Sequence, residues 1–288
     1  MKITITIIIA LGLQMSALDA QDLVVSRTFK DTRVINSHSV ETLQRGRLDV
    51  RITHRFGDIA GDAGGWQTLY GLENAADVLI GAEYGFTDNF TAGIFRTKGA
   101  GPLKQLVSGV FKQAILNQRE DDRVPISMTL VGIATASTSR NSESPTSLNN
   151  FGVIAHRFVY YGQLLIAKKF SPGLSLQVGG GYTHRNQVPF EDINGLFNLS
   201  FASRIQLSKF YGIILDANWP LSDTRSTDEG FYPALGIGVE IETGGHVFQL
   251  NLTNARGIMA TDYMPYTTAN WLDGQFRLGF TISRLFNL

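Results

Sequence analysis

The carboxyl-terminal segment of the chain, residues 274–288, alternates between apolar and polar side chains. The apolar set comprises Phe276, Leu278, Phe280 and Ile282, and the polar set comprises Gln275, Arg277, Thr281 and Ser283. Alternation with period two is typical of a β-strand that has one apolar and one polar face. A chain that ends on such a strand, with Phe286 close to the carboxyl end, favours an all-β fold, an antiparallel transmembrane β-barrel.

Residues 1–20 have the composition of a secretory signal peptide. Lys2 precedes an apolar run at residues 3–13, and a small-x-small pattern ends at Ala20. We therefore expect removal of the leader after Ala20. The apolar run is shorter than the ~20 residues that a membrane-spanning helix needs, which disfavours an anchor. Two classes of exported protein remain, a soluble β-protein and an outer-membrane barrel.

Composition excludes several classes of function but does not choose between these two. The chain has 25 basic and 25 acidic residues, whereas a nucleic-acid-binding protein needs a clustered basic face. It has no cysteine, so disulfides, thiolate metal sites and cysteine nucleophiles are absent. The mean hydropathy of +0.01 fits alternating lipid-facing and lumen-facing residues, but it also fits a soluble enzyme.

Period-two alternation recurs along the chain and predicts about twelve strands. Most of them have the ~9–11 residues that a tilted membrane-spanning strand requires. The predicted strands are residues 47–56, 78–86, 90–97, 103–116, 125–135, 151–170, 174–185, 195–207, 211–219, 232–241, 246–254 and 275–286.

The predicted connections alternate between short and long, apart from a longish one at residues 117–124 and a brief one at 98–102. Outer-membrane barrels have short periplasmic turns and longer external loops, and an even number of strands places both ends of the barrel in the periplasm. We therefore predict a barrel at residues 47–288, preceded at residues 21–46 by a polar segment that is either a periplasmic arm or a plug in the lumen.

Three short motifs carry a resemblance to a known family. They are NSHSVE at residues 36–41, HRFGD at 54–58 and AEYG at 82–85. Together with the final strand, they resemble a membrane-bound β-barrel family of Bacteroidota that has no assigned activity. The resemblance extends over the chain after the leader and implies an outer-membrane barrel, but it implies no chemistry.

Charged residues on the polar faces of the predicted strands are candidates for the lumen. A charge on the lipid face costs ~2–4 kcal/mol at mid-membrane, which is why we place them inward. They either line a pore that selects solutes or neutralise one another inside a narrow barrel. The candidates are Asp49, Arg51, Arg55, Glu83, Arg185, Arg204, Asp216, Glu240 and Arg277.

The sequence predicts no catalytic, cofactor or metal site. It contains no HExxH motif, and no His-x-Ser pair lies on a predicted strand. The alternative is a hydrolase of lipid or peptide at the external rim, where Asp58, Asp62 and Asp77 flank the same loop near His54.

The leading hypothesis is a monomeric, non-catalytic, outer-membrane barrel. It passes a small solute or serves as a scaffold for a periplasmic protein that residues 21–46 bind. The other expected partners are outer-membrane lipid and the barrel-assembly machinery, and no nucleic acid is expected.

Overall fold

The computed structural model describes residues 24–25 and 27–288, so the predicted leader lies outside the described residues. Two short strands, β1 (Arg33–Val34) and β2 (Ser37–His38), form a hairpin ahead of the barrel. The twelve strands of the barrel wall are β3 (Arg47–Phe56), β4 (Ala75–Thr87), β5 (Phe90–Thr97), β6 (Leu106–Leu116), β7 (Ser127–Ser137), β8 (Phe158–Ser171), β9 (Leu174–Arg185), β10 (Gly195–Gln206), β11 (Tyr211–Leu221), β12 (Ala234–Thr243), β13 (His246–Thr253) and β14 (Arg277–Asn287).

Each wall strand pairs antiparallel with the next one in the chain, and β14 pairs with β3 to close the ring. The predicted fold class, an antiparallel barrel of twelve strands, is confirmed. The largest difference in strand bounds is at β8, which begins at Phe158 and not at residue 151. Phe151 packs instead against Leu103, Leu106 and Val159 at the base of the loops.

The two faces of the wall differ as the alternation predicts. On β3, Val50 and Ile52 are exposed on the outer face, at 38% and 43%, whereas Asp49 and Arg51 are buried inside. Closure leaves no unpaired strand edge, so the backbone polar groups of the wall are satisfied within the ring.

Short turns lie at one end of the barrel and longer loops at the other. The turns 88–89, 172–173, 207–210 and 244–245 share their end with the longer connection 117–126. The opposite end carries α1 (Ala260–Tyr266) and four 3-10 helices, which are Trp66–Thr68, Ile154–Arg157, Asp223–Arg225 and Thr227–Glu229. Within the described part of the chain, no helix has the length and apolar character needed to cross a membrane.

Candidate functional site

Two segments fill the lumen, one from each end. The arm, residues 27–46, comes from the short-turn end, where the N–H of Val25 donates to the Gln118 carbonyl at 2.8 Å. It forms the β1–β2 hairpin inside the barrel and returns to Gly46, whose N–H donates to the Gly85 carbonyl at 2.9 Å. The inward loop, residues 254–276, folds in from the long-loop end and carries α1.

The carboxylate of Asp216, on β11, binds the tip of the arm hairpin. It accepts hydrogen bonds from the backbone N–H groups of Asn36 and Ser37, each at 2.8 Å, and from their side chains at 2.8 and 3.0 Å. Ile35, also at the tip, has a φ of 50°, a value that β-branched residues rarely adopt. Four hydrogen bonds to one buried carboxylate therefore stabilise a turn that is unfavourable in isolation.

The guanidinium of Arg51, on β3, lies buried between two carboxylates. It donates to Asp31 of the arm, with one of the two contacts at 2.9 Å, and to Asp49 of its own strand at 2.8 Å. Gln249 also donates to Asp31, at 3.2 Å. Removing one partner of a buried ion pair leaves an uncompensated charge, so loss of Asp31 alone would destabilise the contact between the arm and the wall.

Two further wall charges contact the arm at Thr32. Lys112, on β6, donates from Nζ to the backbone carbonyl of Thr32 at 3.1 Å and to that of Glu41. Glu83, on β4, accepts a hydrogen bond from the Thr32 hydroxyl. The middle of the arm is thus bound by a cation and an anion of neighbouring parts of the wall.

Arg55, on β3, joins the arm to the inward loop. One terminal nitrogen donates to the side-chain oxygen of Asn36 in the arm at 2.6 Å. The other donates to the backbone carbonyls of Ala255, at 3.2 Å, and Gly257 in the loop. The planar guanidinium suits this position because its donors diverge at fixed angles.

Two carboxylates, one on the wall and one on the inward loop, hold the loop in place by accepting hydrogen bonds from backbone N–H groups. Asp77, on β4, accepts from Ile258 and from Gly99, both at 3.0 Å. Asp262, on α1, accepts from the adjacent N–H groups at residues 100–101, at 2.8 and 2.9 Å. Burial raises the pKa of Asp262 to about 6, even though these two donors lower it.

Asp192, in the loop between β9 and β10, organises the contacts at the end of α1. It pairs with Arg185 at 3.0 Å and with Arg225 at 2.7 Å. Arg185 donates to the hydroxyl of Tyr266 at 3.3 Å, and Arg225 donates to the Pro265 carbonyl at 2.7 Å. Burial disfavours ionisation of Asp192, but the hydrogen bonds from the two arginines outweigh it and keep its pKa below the ordinary value.

The remaining wall charges pair with the wall or with its loops. Arg204 and Glu240 lie 2.6 Å apart across β11, where Gly212 leaves room for them. A Cβ atom at Gly212 would lie 3.1 Å from the Arg204 guanidinium. Arg277, on β14, pairs with Asp58 in the loop that follows β3.

Apolar side chains complete the filling of the lumen. The arm and the inward loop also meet each other, with an Arg33 nitrogen 3.5 Å from the Met259 sulfur. The buried cluster combines wall residues with Phe29, Val34, Ile35 and Val40 of the arm and Ile258, Met259, Tyr263 and Met264 of the inward loop. The middle of the lumen is therefore a packed apolar core.

The nine candidate charges all lie inside the barrel and are at most 5% exposed. Asp77 and Lys112 are two further inward charges that were not among the candidates from the sequence. Lys112 has the same phase as Ser108 and Val110, a signal that could have identified it, whereas Asp77 precedes the predicted strand start at residue 78. The nine are Asp49, Arg51, Arg55, Glu83, Arg185, Arg204, Asp216, Glu240 and Arg277.

The structure does not bring together the residues of the alternative rim hydrolase. His54 lies on the outer side of β3, where its ring stacks on Phe280 with centroids 5.7 Å apart. Asp58 and Asp77 are buried inside, and Asp62 is exposed. Among the described residues, no group of three or more His, Asp or Glu side chains could hold a metal ion.

Solved structures with a similar course of the chain are outer-membrane porins and channels. A KdgM porin in complex with disordered oligogalacturonate has 7% identity and a TM-score of 0.48, over 84% of this chain and 99% of that one. An outer membrane channel from Pseudomonas putida F1 has 12% identity and a TM-score of 0.49, over 86% and 98%. No protein of curated function matches the chain in sequence.

A family profile described as a membrane bound beta barrel domain matches residues 29–286, from the arm into the last wall strand. Bacterial single-chain barrels of this kind span the outer membrane, so the predicted localisation is confirmed and the soluble alternative does not fit. The predicted resemblance to a membrane-bound β-barrel family is confirmed. The origin of the chain in Bacteroidota stays a prediction. The chain belongs to the membrane bound beta barrel domain family (DUF5777).

Proposed function

We propose that this barrel is a gated, non-catalytic conduit for a small solute, closed at rest by the arm. The observation that carries the proposal is that the arm engages charges of the wall, above all Asp216 and Arg51. Well-packed apolar residues fill an interior at equal or greater stability than buried ion pairs. A lumen that never opens would therefore have no need of a charged wall.

Withdrawal of the arm would leave a charged, water-compatible surface. Arg51, Glu83, Lys112 and Asp216 would each exchange an arm contact for water, at a small net free-energy cost for each hydrogen bond. The apolar side chains of the arm favour the closed state, because opening would transfer them to water.

Two engineered disulfides test which segment moves. The chain has no cysteine of its own, so each introduced pair can form only the intended bond. Ser37→Cys with Asn218→Cys locks the arm, because these side-chain oxygens lie 3.3 Å apart. Thr135→Cys with Thr261→Cys locks the inward loop, because the two hydroxyl oxygens lie 2.7 Å apart.

In planar bilayers, we expect the wild-type protein to show brief openings that the oxidised arm lock abolishes and reduction restores. The loop lock is the matched control, since it adds the same chemistry to the other segment. Openings that persist when the arm is locked would show that the arm is not the gate. If neither the wild-type protein nor the two reduced variants conducted, the proposal of a conduit would be wrong.

A scaffold for a periplasmic protein is the second candidate, and the position of the arm favours it. Arg27 and Lys30 pair with Glu242 at the short-turn mouth, at 3.1 and 2.8 Å, where a periplasmic partner could bind the arm. A photo-crosslinking amino acid at Arg27 should then capture one discrete partner in cells, and the same group at Leu272 on the external loops should not. Identical products at both positions would contradict the scaffold.

The remaining partner proposals follow from the surfaces of the wall. The apolar outer face would contact lipid, and the final strand, which ends close to Phe286, would meet the barrel-assembly machinery. We propose a monomer, because closure of the ring leaves no strand edge for a second copy to extend.

A further inference from the structure

A pocket of about 250 Å³ opens at the long-loop end of the barrel. Four elements of the fold contribute its charged lining. Asp58 comes from the loop after β3, Lys98 and Lys104 from the loop after β5, and Arg256 and Arg277 from the inward loop and β14. The tertiary fold therefore brings four cations together around one carboxylate.

Asp58 forms ion pairs with both arginines, a close one with Arg277 and a longer one with Arg256, at 3.6 Å. One carboxylate does not neutralise four cations. The Arg256 side chain is 51% exposed at the pocket. An excess of positive charge in a concave site concentrates anions there.

Several donors at the pocket remain available. Lys98 and Lys104 each donate to one backbone carbonyl, at 3.1 and 3.2 Å, although an ammonium group has three N–H donors. The remaining N–H donors of the two lysines, together with the half-exposed guanidinium of Arg256, can therefore bind an acceptor in the pocket.

The neighbouring carboxylates below the pocket have other partners. Asp77 and Asp262 accept hydrogen bonds from backbone N–H groups at residues 99–101 and from Ile258. Because these bonds fix their orientation, the two carboxylates form the support of the loop that carries Lys98 and Lys104 and do not occupy the pocket.

We propose that this pocket binds a phosphoryl group. Guanidinium forks and ammonium groups are the side chains that recognise phosphate oxygens, and the pocket offers both kinds. The bound group would bridge Arg256 on the inward loop to Lys98 and Lys104 on the wall side. The site does not depend on whether the barrel conducts.

Calorimetric titration of the purified full chain with inorganic pyrophosphate tests the site. We expect saturable binding that Lys98→Gln with Arg256→Gln weakens by about tenfold or more, because hydrogen bonds between charged groups are lost. Both side chains are partly or fully exposed, so the barrel should fold as before. Arg140→Gln, which changes an exposed external arginine outside the pocket, should bind as the wild type does.

The source of the phosphoryl group follows from a second measurement, in vesicles of phosphatidylcholine with or without phosphatidic acid. Pyrophosphate binding that weakens when phosphatidic acid is present supports a lipid headgroup, and unchanged binding supports a soluble phosphate. The proposed site would be wrong if pyrophosphate did not bind saturably. It would also be wrong if Arg140→Gln weakened binding as much as Lys98→Gln with Arg256→Gln does.

Discussion

The arm and the inward loop fill the same lumen, but the wall holds them by different groups. Side chains of the arm, Asp31 and Asn36, make ion pairs and hydrogen bonds with Arg51 and Asp216. The inward loop, among the described residues, makes no ion pair with a wall strand; it is held by hydrogen bonds, as where Asp77 accepts from the N–H of Ile258 and Asp262 accepts from the N–H groups at residues 100–101. We infer that binding of the arm depends more on the charges of its side chains than binding of the loop does.

The largest expected effect comes from Arg55→Met, because Arg55 serves both segments. The substitution keeps the volume but leaves Asn36 and the carbonyls of Ala255 and Gly257 without their donor. We expect both segments to lose stability by about 3 kcal/mol or more. Hydrogen exchange of the backbone amides in the arm and in the loop measures the effect.

If only one segment exchanged faster in Arg55→Met, the arm and the loop would be independent plugs, and the proposed link through Arg55 would be wrong. Glu240→Gln is the control, because it changes a buried charge that pairs with Arg204 within the wall.

Asp216→Asn should destabilise the arm and leave the inward loop almost unchanged. An amide can accept fewer hydrogen bonds than a carboxylate, so the tip at Asn36 and Ser37 loses part of its support. We expect the arm to lose about 2 kcal/mol and the loop to change little. In bilayers, the variant should open more often than the wild type, and an opening frequency equal to the wild type would contradict gating by the arm.

The inward loop should respond to pH through Asp262, whose pKa is raised to about 6 in the folded state. A raised pKa means that its stabilising contribution is complete below the unfolded value and is lost as pH rises through about 6. Between pH 7 and pH 5 the docked loop should therefore gain about 1 kcal/mol. Hydrogen exchange of the backbone amides in the inward loop at the two pH values measures this gain, and Asp262→Asn should lower the pH difference by about 1 kcal/mol.

The smallest effect is expected at the mouth of the arm. Glu242→Gln weakens the pairs with Arg27 and Lys30, but all three side chains are partly exposed, at 22–37%. Such pairs contribute about 1 kcal/mol or less, and salt screens them. A large rise in arm exchange in this variant would mean that the mouth, and not the tip at Asp216, holds the arm.

The wall was predictable because alternation is a local property of the sequence. The inward direction of Arg51 or Asp216 follows from its neighbours two residues away, without knowledge of any contact. Their partners do not follow, since Asn36 lies 180 residues from Asp216. The sequence left open whether residues 21–46 enter the lumen, and it gave no sign that residues 254–276 do.

The misplaced start of β8 has a related cause. Residues 151–157 have the β-propensity of a strand, but Arg157 stacks on Phe151 at 4.2 Å and donates to the carbonyls of Ser137 and Ser139. These contacts join the segment to the end of β7, so tertiary packing overrides the local preference.

The strands that close the ring carry the two filling segments on their amino-terminal sides. The arm leads directly into β3 and the inward loop leads directly into β14, and these strands pair with each other. When the seam forms during assembly, it brings the arm and the loop to the same side of the interior, where Arg55 on β3 contacts both. The order of the chain thus couples closing the ring to filling it, because the two strands of the seam are each continuous with one of the filling segments.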